Sequence, residues 1–339
     1  MYVVKHENGV TPGSFKTFVF SVLKTDKWQI QPDGINVLVL DYCDLNVAET
    51  EFPNINTWRA NWIVWQKHGF DTPFWDNAVQ FKTRVYDRNY YPADSGFTAT
   101  FRFSVDDAAI LPGLELAVEV PELYRITLNG QLLPFEESSR RLDPRLRSLL
   151  ITKWAKTGGN VVNIVGQPFD VRMELENVYL RGDFSVANAD KGFRLSSSRP
   201  LELGSWSKQG RPFFPGTVYY QTGIVIPRKA SKLRVDLAEW AGSVATVDLD
   251  GNEVSILGWQ PYSVEIPVTP GKHSVGIRVV SNPRNLFGPF HNPSKPRMEA
   301  WPKFWAEFPE HQPPGATYDV LDYGLMRAPI ISVGVQAKR

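Results

Sequence analysis

LELGSWSKQGRPFFPGTVYYQTGIVIP, residues Leu201 to Pro227, is the stretch on which the reading of the fold turns. From Gly216 to Ile226 it alternates. Val218, Tyr220, Ile224 and Ile226 share one parity; Thr217, Tyr219, Gln221 and Val225 take the other. A period of two among β-branched and aromatic residues predicts a strand with one buried face. Ahead of it, Gly204, Gly210, Pro212, Pro215 and Gly216 are interleaved with Trp206, Phe213 and Phe214. Apolar side chains of that size pin a loop to a core, so the segment reads as the lead-in to the second of two β-sandwiches.

On either side of this stretch the same order of elements occurs twice. Val218–Ile226 corresponds to Phe97–Val105, and Leu233–Leu237 to Leu114–Val118. Ser243–Val254 turns at Asp250-Gly251 as Tyr124–Leu133 turns at Asn129-Gly130, both strong hairpin signals. Tyr262–Val268, the turn Pro270-Gly271-Lys272-His273 and Ser274–Val280 match Leu149–Val165 with its own turn at Gly158-Gly159-Asn160. Two copies, each long enough to own a core, predict tandem domains rather than a solenoid. The expected divisions are an N-terminal β segment with a linking helix over 1–78, a first sandwich over 79–187 and a second over 188–339.

The N-terminal segment holds strand-like runs at Phe15–Leu23 and Ile35–Asp41, split by the turn Pro32-Asp33-Gly34. It is too short to stand alone and has to pack on the downstream residues, or on something upstream. Trp58, Trp62 and Trp65 then fall at i, i+4 and i+7, one face of a helix capped by Asn56 or Thr57 and ended by Gly69 and Pro73. The stripe reads as a docking face on a sandwich; a platform for a ligand is the other reading.

The 339 residues carry 37 basic and 36 acidic side chains, which gives no footprint for nucleic acid or an anionic membrane surface. Cys43 is the single cysteine, so an intrachain disulfide, a zinc cluster and a CxxC redox site are excluded. No run approaches membrane-span length, and the first residues lack a leader pattern. A bacterial periplasmic or extracellular setting is expected if a leader lies upstream. The 11 Trp, 12 Tyr and 20 Phe read either as sandwich core or as stacking faces for sugar rings.

Glycoside hydrolysis needs two carboxylates, one with a raised pKa. Glu174 and Glu176 share parity about 7 Å apart, but no spacing singles out a catalytic pair, and they read as a solvated face. Asp248, Asp250, Asn252 and Glu253 give a faint calcium-loop pattern that a hairpin explains equally well. The five histidines are scattered, and no nucleophile elbow, phosphate loop or dinucleotide fingerprint occurs. The segment 282–318 is the most ligand-like. Arg284, Asn285, His291, Trp301 and Trp305 lie among prolines there, the mixture of flat apolar and planar polar groups that sugar recognition uses. Trp259 with Tyr262 is a second platform candidate. The alternative for the long segment is a structural plug.

Four motifs, NVYLRGDFSV (Asn177–Val186), LGSWSKQGRPFFPGTVYYQ (Leu203–Gln221), NPRNLFGPFHN (Asn282–Asn292) and YGLMRAPIIS (Tyr323–Ser332), are similar to the galactose-binding-like jelly-roll domains of glycoside hydrolase family 2 and the family 106 α-L-rhamnosidases. INVLVLDYCDL (Ile35–Leu45) resembles the module that joins the catalytic barrel to those sandwiches. The resemblance implies an all-β chain of two jelly rolls, without a counterpart of the catalytic barrel. It implies a carbohydrate-binding, non-catalytic role, with a plant or microbial polysaccharide as partner and a catalytic domain upstream. No cofactor is implied beyond a structural calcium of unknown position. A purely structural fragment of a glycosidase and a self-contained polysaccharide-active enzyme remain the alternatives.

Overall fold

The computed structural model describes residues 17–70, 90–140, 145–292 and 307–337. The class is all-β: antiparallel sheets dominate, with a parallel bridge at Leu195 and Val105. Two compact units emerge, each drawn from separated stretches of chain. The smaller comprises Met1–Gln31, Val218–Val280 and Leu325–Arg339; the larger comprises Pro32–Thr217 and Ser281–Gly324.

Each unit is a pair of sheets with the same order of strands. In the smaller unit one sheet runs Phe18–Val22, Ile330–Gln336, Ala230–Asp236, Ser263–Pro267. The other runs Gln29–Asp33, Thr217–Ile226, Gly271–Val280, Val244–Leu249, Asn252–Leu257. The larger unit repeats the first as Asn36–Leu40, Val178–Gly182, Glu115–Glu119, Leu146–Leu150, and extends it with Ser139–Arg140. It repeats the second as Tyr42–Val47, Phe97–Val105, Gly158–Gly166, Arg125–Leu128, Gln131–Leu132. Both hairpins close on two left-handed residues, Asn129 and Gly130 (φ 52° and 83°) and Asp250 and Gly251 (φ 54° and 80°). Glycine at the second position takes that conformation without steric penalty.

The expected divisions near 79 and 188 do not coincide with these units, because the first and last strands are shared out by hydrogen bonding. Phe18–Val22 completes the edge beside Ile330–Gln336, with Phe20 opposite Gly334, whereas Asn36–Leu40 completes the edge beside Val178–Gly182, with Leu38 opposite Leu180. An N-terminal segment with no core of its own thereby satisfies its backbone groups in two places. The lead-in loop stays with the larger unit. Trp206, Phe213 and Phe214 are buried there, Trp206 stacked 6.0 Å from Tyr323, and the second repeat begins only at Val218.

The alternation that marks the strands is the alternation of burial. Val218, Tyr220, Ile224 and Ile226 are buried while Thr217, Tyr219, Gln221 and Val225 are not. In the larger unit Leu116, Val118, Leu180, Phe101 and Val162 meet in one core. The helix spans Thr57–Lys67; Asn56 Oδ1 accepts from the Trp58 amide at 3.0 Å, and Gly69 (φ 85°) follows its end. Trp65 is fully buried in the core against Phe70 and Phe169, so part of the stripe docks as expected. Among the described residues no helix is long and apolar enough to cross a membrane.

Candidate functional site

A cavity of about 550 Å³ opens in the larger unit, walled by Asp41, Asn56, Trp58, Glu119, Leu146, Glu176, Asn177, Tyr179 and the turn Phe287–Pro289. Its floor is set by strand register. Tyr179 lies opposite Ala117 and Leu146 opposite Glu119, so Glu119 and Tyr179 sit on the face turned away from core residues Leu116 and Leu180. The segment that returns after Val280 covers part of this face, and Asn177 Nδ2 donates to the Gly288 carbonyl at 3.0 Å. Trp58 comes from the first turn of the helix; its Nε1 is buried without a hydrogen-bond partner among the described residues.

The acids make the site unusual. Glu119, Glu174 and Glu176 converge, and Arg145 reaches two of them, with Nε 3.4 Å from Glu119 and Nη2 3.6 Å from Glu174. Glu176 keeps some surface open to the cavity, but protein surrounds most of its carboxyl, which has no hydrogen-bond or ion-pair partner among the described residues. Burial first, then the charges of Glu119 and Glu174, push its pKa up to about 8. Glu174 is raised to about 6, by burial first, against the opposing pull of Arg145. At neutral pH Glu176 therefore holds a proton while Glu174 is largely ionised. The expectation of a solvated acidic face at Glu174 and Glu176 is corrected: burial desolvates both, and Glu119, from a strand far away in sequence, joins them.

Beside the cavity lies a second buried network. Asp41 follows the strand Asn36–Leu40 and accepts from Tyr318 Oη at 2.9 Å and His291 Nε2 at 3.0 Å. Its backbone carbonyl takes the Thr57 amide, tying the helix start to the sheet. Burial and the Asp41 charge drive the Tyr42 and Tyr318 phenols far above their ordinary values, so both stay neutral donors.

The sequence-predicted residues scatter. Arg284 and Asn285 are buried: the Arg284 guanidinium binds the Asp319 carboxylate (2.7 Å) and carbonyl (2.6 Å), and Asn285 bridges Pro212 and Leu321. Both are directed at the protein itself. His291 serves Asp41, and among the described residues of that segment Phe287–Pro289 line the cavity. Trp259 and Tyr262 belong to the smaller unit, where Trp259 is 80% exposed and Tyr262 packs edge-on to Trp240 at 5.0 Å. Trp301 and Trp305 lie outside the described residues. The calcium-like acids diverge, Asp248 toward Tyr219 and Arg278, Asp250 toward His273 and the Ser274 amide. Among the described residues no group of three acids, histidines or cysteines is placed to hold a metal ion.

A larger cavity of about 780 Å³ also lies in this unit, lined by Ser185, Arg194, Ser196, Lys208, Gln209 and neighbours. Its polar groups are largely turned inward. Arg194 pairs with Asp106 and Lys208 with Asp322, each at 2.8 Å, and Ser196, Ser207 and Gln209 bond backbone atoms.

No protein-family model and no curated protein matches the chain. Solved structures similar to it are a rhamnosidase from Novosphingobium sp. PP1Y (18% identity, 70% of this chain and 23% of that one, TM-score 0.28), a β-D-mannosidase from Dictyoglomus thermophilum (10% identity, 73% and 31%, TM-score 0.28) and an exo-chitosanase from Amycolatopsis orientalis (12% identity, 74% and 30%, TM-score 0.28). The chain spans less than a third of the length of each of these glycosidase structures.

Proposed function

We propose that the chain is a non-catalytic carbohydrate-binding protein related to the accessory sandwiches of polysaccharide-degrading glycosidases, and that the cavity beside Glu176 is its glycan site. The observation that carries this is the Glu176 carboxyl, facing a cavity walled by Trp58 and Tyr179 and lacking a partner among the described residues. A sugar ring offers an apolar C–H face and a rim of hydroxyls. Indole and phenol rings take the face; a protonated carboxyl donates to one hydroxyl and accepts from another. One such site gives weak affinity, and avidity then comes from a linked catalytic domain on the same polysaccharide.

Affinity electrophoresis through xylan, pectin, galactan, β-glucan and chitosan, followed by product analysis, tests the reading. Retardation without product is expected, lost in both Trp58→Ala and Glu176→Ala. Retardation that survives both substitutions places the site elsewhere. A second reading, hydrolysis, is favoured by one feature: a carboxyl that holds its proton beside the Glu119 carboxylate is the acid-base inventory of a glycosidase. New reducing ends that vanish in Glu176→Gln are its readout.

A further inference from the structure

We propose that this cavity selects a saccharide bearing a free ammonium group, an amino sugar with its nitrogen unacylated, over the neutral ring of the same shape. The inference rests on the glycan-binding reading and names the ligand class for that site. Among the described residues that line the cavity, Asp41, Glu119 and Glu176 carry carboxyls, and no lysine, arginine or histidine is present. Asp41 is already engaged by His291 and Tyr318, and Glu119 by Arg145. Among the described residues no cation stands within ion-pair distance of Glu176; Arg145, held by Glu119 and Glu174, opposes its raised pKa only as the smallest of the influences on it.

The chemistry of the walls matches a positive ligand. An ionised carboxylate is acceptor-only, and an ammonium brings three donors and no acceptor. Trp58, Tyr179 and Phe287 add ring faces whose quadrupole attracts a cation. A uronate would meet like charge, and a neutral sugar would bring no cation to exchange for the Glu176 proton. The larger cavity shows that the imbalance is local, since its lining carries three acids, Asp106, Glu202 and Asp322, against three cations, Arg194, Arg199 and Lys208. Because burial and neighbouring acids keep a proton on Glu176, an arriving cation displaces it, and binding near neutral pH releases a proton.

The test is isothermal titration of the intact chain with three β-1,4-linked tetrasaccharides that differ only at C2: glucosamine, N-acetylglucosamine and glucose. At pH 6.5 the glucosamine form is expected to bind about tenfold tighter than either of the others. That preference shrinks in Glu176→Gln and with added salt, and heats measured in buffers of different ionisation enthalpy reveal the released proton. Equal or tighter binding of the acetylated or neutral tetrasaccharide overturns the ammonium proposal while leaving a glycan site in place. Failure of all three tetrasaccharides and of every polysaccharide removes the glycan-binding reading itself.

Discussion

Leu116 in the larger unit and Leu233 in the smaller stand at the same crossing of the same sheet. Leu116 lies between Leu180 and Leu149, and Leu233 between Val333 and Ile266. Counting outward from these pairs along the sequence, past the strand starts at Val178 and Ile330, the position of Glu119 is Asp236 in the smaller unit, that of Glu176 is Pro329 and that of Glu174 is Arg327. Asp236 is bonded by Arg234 at 3.0 Å, and Arg327 pairs with Glu239 at 2.8 Å. The core positions repeat, but of the three acids only Glu119 has an acidic counterpart, Asp236. What is duplicated is the packing problem, and the cavity walled by Glu119 and Glu176 belongs to the larger unit.

The hairpins make the same point at smaller scale. Registers Leu128–Val162 and Leu249–Val275 align Asn160 with His273 and Val161 with Ser274. In the larger unit Asn129 Oδ1 accepts the Val161 amide and its Nδ2 donates to Asn160 Oδ1. In the smaller unit Asp250 Oδ1 accepts the Ser274 amide while Oδ2 holds His273 Nδ1 at 2.7 Å. One clip joins two neutral amides, the other a carboxylate and an imidazole.

The largest effect expected comes from breaking the buried Arg284–Asp319 pair. Arg284→Ala leaves a carboxylate uncompensated, and thermal or urea unfolding should show a loss of about 3–5 kcal/mol in the larger unit. A loss under about 1 kcal/mol would mean that water reaches Asp319. Next, Leu116→Ala and Leu233→Ala each open a cavity in a full core and should cost about 2–5 kcal/mol. If the units unfold separately, each substitution moves a different transition, and hydrogen exchange assigns it.

Glu176→Gln probes the cavity. A folded pKa of about 8, above the ordinary 4.5, means that Glu176 contributes stability fully below pH 4.5 and loses it as pH rises through 8. The variant should lack that slope, so the difference between the two proteins grows from pH 4.5 to about 8. A flat difference would put Glu176 in water.

Of the two hairpin clips, the one at Asp250 and His273 should respond to pH, with its two groups acting in opposite directions. Both nitrogens of His273 face acceptors, Asp250 and the Thr269 carbonyl, so the imidazolium is favoured, and its pKa rises chiefly through the Asp250 hydrogen bond. That contribution is full below 6.5 and fades as pH rises through the raised folded value. Asp250 is depressed chiefly by the Ser274 amide, so its contribution is present above 3.8 and lost as pH falls through the folded value. His273→Asn should abolish the alkaline loss, and amide exchange at Asn129 should show no such dependence. Smallest of all, Gly130→Ala and Gly251→Ala should each cost about 1 kcal/mol, since both hold φ near 80° and an added Cβ meets no neighbour.

Much of this was written locally. The period of two in Val218–Ile226 and Phe97–Val105, the glycine of each hairpin and the Trp stripe behind Asn56 are short-range patterns, and short-range chemistry determines strand, turn and helix. Glu174 and Glu176 were visible as a pair, but their burial was not. It depends on Glu119 and Arg145, which strand pairing brings in from elsewhere in the chain, and on the turn Phe287–Pro289 closing over them. The unit boundaries were hidden for a similar reason: Phe18–Val22 and Asn36–Leu40 lie close together in sequence but find their partners in different sheets. Sequence alone determined the elements and their twofold recurrence, because a residue's parity acts within its own strand. Only the tertiary structure decided which carboxyls lose water and share a field, because desolvation and charge depend on neighbours in space.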